Sequence, residues 1–178
     1  MTENIQIPAI DQSLETESLR FIRNLTGRFD RNLDKKSRIS LPSQIRDKLG
    51  TNVIYIIKWF NRNLALFPEP NYLLLAESVA KTSNPYSPEG MDIRQIVFSE
   101  CAELVLDKEG RFLLPQYLID YAQLNQTDKI LLLGDWDKVK ICNSSVYESR
   151  SRTDPQHLEK TMSYVMTEAF ASIYNSKK

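Results

Sequence analysis

Hydrophobic positions follow one rhythm twice along this chain. Ile39 and Leu41 alternate with polar neighbours, and so do Phe112 and Leu114. A period of two predicts short, half-buried strands. Each run stops at a proline, Pro42 or Pro115. Proline has no ladder donor, but it suits the first turn of a helix. Ile45 with Leu49, and Leu118 with Ala122, then share one face at helical i, i+4 spacing. Gly50 sits where a left-handed residue ends the first helix. β-prone runs follow at Val53–Ile57 and Lys129–Leu133. They turn at Asn61-Arg62-Asn63 and Asp135-Trp136-Asp137, and return through Leu64–Phe67 and Val139–Cys142. Ahead of each rhythm an apolar approach, Leu33 or Leu104–Leu106, runs into a polar Asp-Lys-x-x-Arg turn. Each unit therefore reads as strand, charged turn, strand, short helix and hairpin.

The repetition is literal. Seven of seventeen positions are identical between Leu33–Leu49 and Leu106–Ala122. An offset of 73 residues separates Asp34 from Asp107, Arg38 from Arg111 and Pro42 from Pro115. Fixed-offset self-similarity marks a duplicated module. A unit of about 45 residues buries little core alone, so two interlocked units are expected. The resulting fold class is α+β and β-rich. Residues 1–26 form an N-terminal extension, partly disordered, with Met1–Gln12 mobile and a short helix lined by Leu14, Phe21, Ile22 and Leu25. Module one spans 28–71, a helical connector 72–100, module two 101–144, and a C-terminal helical extension 145–178. In the connector Asn71 caps a helix through Leu74, Leu75, Ser78 and Val79. Ser83–Gly90 is a break, and a second helix starts at Met91 with Ile93, Ile96 and Val97. Asp154 and Pro155 open the terminal helix, whose apolar face is Leu158, Met162, Val165, Met166, Ala169, Phe170 and Ile173.

Composition narrows the function classes. At 178 residues and 42% hydrophobic content the chain is a globular protein of one or two small domains. It shows no long apolar run and no secretion signal, so a cytoplasmic protein is expected. Cys101 and Cys142, both inside predicted strands, are read as reduced thiols. One histidine, His157, and two distant cysteines give no metal spacing. With five glycines there is no phosphate cradle, and no activated nucleophile is visible. Asp135 and Asp137 flank a turn and are unsuited to acid–base work. No catalytic residue, metal, cofactor or small-molecule substrate is expected, and the chain reads as a non-enzyme. Trp59 and Trp136, with Phe60, are read as packing groups near the hairpin turns.

Formal net charge is zero, with 23 basic and 23 acidic residues. Its distribution is uneven. Arg28–Asn71 holds nine basic and four acidic residues, a net of +5, whereas Cys101–Ser144 holds five and seven, a net of −2. Nucleic-acid binding depends on local potential, so module one is the basic face. Asp34 can accept backbone N–H groups in its own turn and hold Arg38 beside it. Lys35 and Lys36 would then project from the tip. Lysine offers phosphate a point charge, and arginine a planar fork for phosphate or guanine. Lys35, Lys36, Arg38, Arg28, Arg31, Lys108 and Arg111 are the candidate DNA-binding residues. Asp34, Asp107, Pro42 and Pro115 structure the turns. A purely structural reading makes Asp34–Arg38 and Asp107–Arg111 ion pairs that only fix a turn.

The paired Asp-Lys-x-x-Arg-x-x-x-Pro turns, each followed by a short helix and a hairpin, resemble the MraZ family of bacterial transcriptional regulators. The resemblance spans roughly Gly27–Tyr147, with Gly27–Asp34 and Ser99–Asp107 as the lead-in segments. It implies swapped-hairpin modules of the SpoVT-AbrB type forming a double-module barrel, and a homo-oligomer, often a ring. It also implies binding to direct repeats in double-stranded promoter DNA, usually upstream of the division and cell-wall gene cluster, with repression as the usual action. A nucleoid-associated protein that binds no membrane is then expected. The family pattern has glycine before the arginine. Module two keeps it as Gly110, whereas module one has Ser37, which a positive φ would strain. Lys36 faces Glu109 in the alignment of the copies, and the N-terminal segment is longer than the family's. Alternatives are an oligomeric structural or interaction protein that keeps the fold without DNA binding, or an antitoxin-like partner protein.

Overall fold

The computed structural model describes residues 21–150 and, beyond them, Glu159, Met162, Ser163, Val165 and Met166. Met1–Gln12, Leu14, Asp154, Pro155, His157 and Leu158 lie outside the described residues, as do Ala169, Phe170 and Ile173. Each module delivers its elements in the expected order. Module one gives β1 (Arg28–Arg31), β2 (Arg38–Ser40), α1 (Ser43–Leu49), β3 (Val53–Trp59) and β4 (Asn63–Pro68). The connector follows as α2 (Glu69–Thr82) and α3 (Pro88–Arg94). Module two gives β5 (Ala102–Val105), β6 (Arg111–Leu113), α4 (Gln116–Ala122), β7 (Ile130–Gly134) and β8 (Val139–Asn143).

The modules exchange strands. β1 of module one pairs with β7 of module two, and β5 of module two pairs with β3 of module one. The two hairpins meet where β4 pairs with β8. All these pairings are antiparallel and build one open six-stranded sheet, β1-β7-β8-β4-β3-β5. β2 and β6 form a separate ribbon, with Ile39 opposite Phe112. Crosswise pairing explains how small units obtain a core. Ile39, Leu41, Ile45 and Leu49 of one repeat share a single apolar cluster with Phe112, Leu114, Leu118 and Ala122 of the other. Ile54, Ile56, Leu64 and Leu66 meet Ile130, Leu132, Val139 and Ile141 in the same cluster.

The opposite face of the first hairpin is covered by the connector. Ile57, Ala65 and Phe67 pack with Tyr72 and Val97, flanked by Leu75, Ala76 and Val79 of α2. The Tyr55 and Tyr72 rings stack 4.1 Å apart, and the Tyr72 hydroxyl donates to the Val97 carbonyl at 2.9 Å. β4 is thus apolar on both sides, and Leu64 through Pro68 are all buried.

Several local expectations are corrected. Asn71 is not a cap: α2 starts at Glu69 after Pro68, and Asn71 lies buried inside the helix. Its amide accepts from Ile22 N–H at 2.8 Å and donates to the carbonyls of Ile22 at 2.8 Å and Asp137 at 2.6 Å. Those backbone groups draw it inward. Phe21, Ile22 and Leu25 are not helical; Leu25 is fully buried and pairs with Trp136 across a bridge. The second connector helix starts at Pro88, ahead of Met91, because Ser87 accepts from Gly90 N–H as its cap. It widens into a π-helical turn over Gln95–Ser99. Cys142 is buried in β8, while Cys101 sits just ahead of β5 instead of inside it.

A second compact unit begins at Ser144. It opens with α5 (Ser144–Arg150). Glu159, Met162, Ser163, Val165 and Met166 are helical, and Met162, Val165 and Met166 are about half exposed. No helix among the described residues is long and apolar enough to cross a membrane.

Candidate nucleic-acid interface

The two charged turns are built alike. Asp34 Oδ1 accepts the backbone N–H of Lys36 at 2.8 Å and of Arg38 at 2.9 Å, and its Oδ2 accepts Arg38 Nε at 2.7 Å. Asp107 repeats this with Glu109 at 2.9 Å, with Arg111 N–H at 2.8 Å, and with Arg111 Nε at 2.8 Å. One carboxylate therefore closes each turn and fixes its arginine, as the spacing predicted. The fourth residue of each turn is left-handed: Ser37 has φ 58° and Gly110 φ 73°. The duplicated geometry extends to the helix ends, where Gly50 and Gln123, again 73 residues apart, have φ 66° and 53°.

The sequence did not reveal that the turns lock to each other. Leu41 N–H donates to the Gly110 carbonyl at 2.9 Å, and Leu114 N–H donates to the Ser37 carbonyl at 2.9 Å. These reciprocal bonds extend the β2–β6 ribbon at both ends and set the turns side by side. The Asp34 charge even reaches across to Arg111. Pro42 and Pro115 stand at the helix N-caps, where their carbonyls accept from Ile45 and Arg46, and from Leu118 and Ile119.

Electrostatics follow from these bonds. The Arg38 backbone N–H holds the Asp34 carboxyl below its ordinary value, and the Arg38 side chain and the Lys36 N–H add to this. Arg111 and Glu109 act on Asp107 in the same way. Both aspartates are thus carboxylates, each holding its arginine beside its own turn. Lys35, Lys36 and Lys108 are exposed at the tips. The copies differ at one contact: Arg111 Nη1 also binds Glu109. Arg38 spends only Nε on an acid; Arg111 spends Nε and Nη1. Charge asymmetry between the modules thus becomes a difference in free donors.

The other candidates fall elsewhere. Arg31 turns onto the backbone, with Nε to the Ser40 carbonyl at 3.0 Å and Nη1 to the Asp30 carbonyl at 2.7 Å. It braces β1 against β2. Arg28 is exposed on β1 and lines a groove with Gln44, Asp47 and Lys48. Trp59 and Phe60 line an apolar cleft with Leu75, Ile96 and Tyr121, while Trp136 is exposed at its turn. Asp135 and Asp137 pair with Lys138. Among the described residues no group of histidine, cysteine, aspartate or glutamate could hold a metal ion. Arg46, not singled out from the sequence, lies over Gly110.

Fold and site together define a class: a duplicated α+β protein whose crossed modules set two charged Asp-Lys-x-x-Arg turns side by side. The chain belongs to the MraZ family. It is 32% identical over 127 residues to the transcriptional regulator MraZ of Alkalilimnicola ehrlichii, covering 69% of this chain and 82% of that protein. It is 30% identical over 125 residues to that of Mycoplasmopsis pulmonis, covering 70% and 82%. With the Roseiflexus castenholzii protein of the same name it shares 34% over 109 residues, covering 61% and 73%. No protein-family model matches the chain.

Proposed function

We propose that this chain is a sequence-specific DNA-binding regulator of transcription that acts as a repressor on direct repeats in the promoter of the division and cell-wall gene cluster. The observation that carries the reading is the pair of interlocked turns, which bring Lys35, Lys36 and Arg38 beside Lys108 and Arg111. The relatives are named transcriptional regulators, which supports the same reading. Module one reads the operator, because Arg38 keeps both Nη groups and stands in the +5 region. Module two, whose Arg111 is held by two acids, mainly builds the assembly.

The crosswise pairing supports swapped-hairpin modules of the SpoVT-AbrB type at 28–71 and 101–144. The ribbon and the open sheet share one core, which supports reading them as the two parts of a double-module barrel. The chain assembles into a ring-shaped homo-oligomer in the cytoplasm, at the nucleoid. The open sheet edges at β1 and β5 need cover, and Met162, Val165 and Met166 expose an apolar i, i+3, i+4 face. The test is a fluorescence-anisotropy titration with the DNA upstream of the chain's own coding sequence against a scrambled duplex of equal length. Preference for the upstream DNA supports the reading; equal affinity for both duplexes sinks it.

A further inference from the structure

We propose that Arg46 is a phosphate-binding residue of this surface, laying an unpaired guanidinium over the second turn and restoring there the positive charge that Glu109 cancels. The proposal rests on the DNA-binding reading above. Arg46 belongs to α1, whose rotation is set by Ile45 and Leu49 buried in the core. That rotation carries the side chain out of module one and across the ribbon to module two. A Cβ added at Gly110 would lie 2.6 Å from Arg46 Nη1, 2.7 Å from Cδ and 3.3 Å from Cζ. The side chain therefore crosses the backbone of Gly110, which leaves it room by having no side chain. Gly110 thus serves two ends, its φ of 73° and this passage.

The guanidinium has a position but no partner among the described residues. Among the described residues no carboxylate or carbonyl accepts from it, although the residue is half-buried. Glu109, the nearest candidate in sequence terms, is engaged by Arg111. A charge with a packed stem and no counter-charge concentrates positive potential for an incoming anion. Its location decides which anion. Turn one has Lys35, Lys36 and Arg38 against Asp34, a surplus of two positive charges; turn two has Lys108 and Arg111 against Asp107 and Glu109, which is neutral. Arg46 makes turn two positive without adding a residue to it. The equivalent of Arg46 at the 73-residue offset is Ile119, which is buried, so turn one receives no such residue. The extra cation thus goes to the turn that lacks a positive surplus, on the surface read above as facing the DNA backbone. Resting on α1 and a glycine backbone with no base-reading partner, it serves position, not sequence choice.

The test uses the full chain with Arg46→Gln and Arg46→Ala, both compatible with a helix interior, and Arg46→Lys. Each is titrated against the upstream duplex and its scrambled counterpart over a range of salt, with melting temperature and particle size on the same samples. The expected result is that Gln and Ala make the log affinity–log salt slope shallower by about 0.9 for each bound subunit. They weaken both duplexes by the same factor, so the preference is kept, while Lys recovers the slope. Unchanged slopes in Gln and Ala, with the parent still preferring its upstream DNA, would overturn this inference alone. Loss confined to the upstream duplex would overturn it too, because the residue would then read bases. A parent with no preference would instead remove the function on which the inference stands.

Discussion

Replacing Arg38 and Arg111 one at a time tests whether free donors, not sequence identity, decide which turn reads DNA. Of the Arg38 side chain Asp34 takes only Nε, at 2.7 Å, which leaves both Nη groups without an acid among the described residues. Arg111 gives Nε to Asp107 at 2.8 Å and Nη1 to Glu109. If Arg38 bonds a base edge, Arg38→Ala should cost about 1–3 kcal/mol per contact, or roughly 5- to 140-fold in affinity. A multi-subunit complex takes that loss several times, so binding should nearly vanish. The melting temperature should move little, because the Arg38–Asp34 pair is about one-third exposed and such pairs contribute weakly. Arg111→Ala should weaken binding much less. Glu109→Gln should tighten it, by releasing Nη1 and removing an acid beside the phosphates. Anisotropy titrations with particle size on the same samples make the measurement. Equal loss from Arg38→Ala and Arg111→Ala, with both oligomers intact, would show that both turns read DNA and that the donor argument is wrong.

Three further perturbations probe the scaffold. Asp34 and Asp107 are held below the ordinary aspartate value of 3.8, so their turn-stabilising bonds are complete above that value and are lost as pH falls through the depressed ones. Carboxyl NMR titration should place both midpoints under 3.8, and a midpoint at or above it contradicts the hydrogen-bond account. Ser37→Gly should stabilise the chain by about 0.5–1 kcal/mol, because it removes a left-handed strained residue while adding some unfolded-state freedom. A urea midpoint that is unchanged or lower would count against strain at φ 58°. Asn71→Ala strands the Ile22 N–H and two carbonyls and should cost on the order of 2–4 kcal/mol in urea unfolding; a loss below 1 kcal/mol would mean that water replaces the amide.

The sequence by itself determined the local elements of each module. Alternation at Ile39–Leu41 and Phe112–Leu114, prolines after each, and β-prone runs around turns are properties of near neighbours. Backbone sterics and side-chain periodicity act over the same few residues, so strands, short helices and hairpins appeared where the pattern put them. The Asp–Arg bonds were legible for the same reason, since Asp34 and Arg38 are four residues apart. The tertiary structure alone decided which strand met which. β1 could have returned to its own hairpin, but it pairs with the hairpin of the other repeat. Copies with the same element order offer similar strand edges, and burial of the whole core makes the choice between them. Asn71 looked like a cap because its neighbours suit one; contacts 49 and 66 residues away made it an interior clamp. Arg46 carried no local signal at all. It became notable only when the ribbon brought Gly110, far along the chain, beneath its side chain.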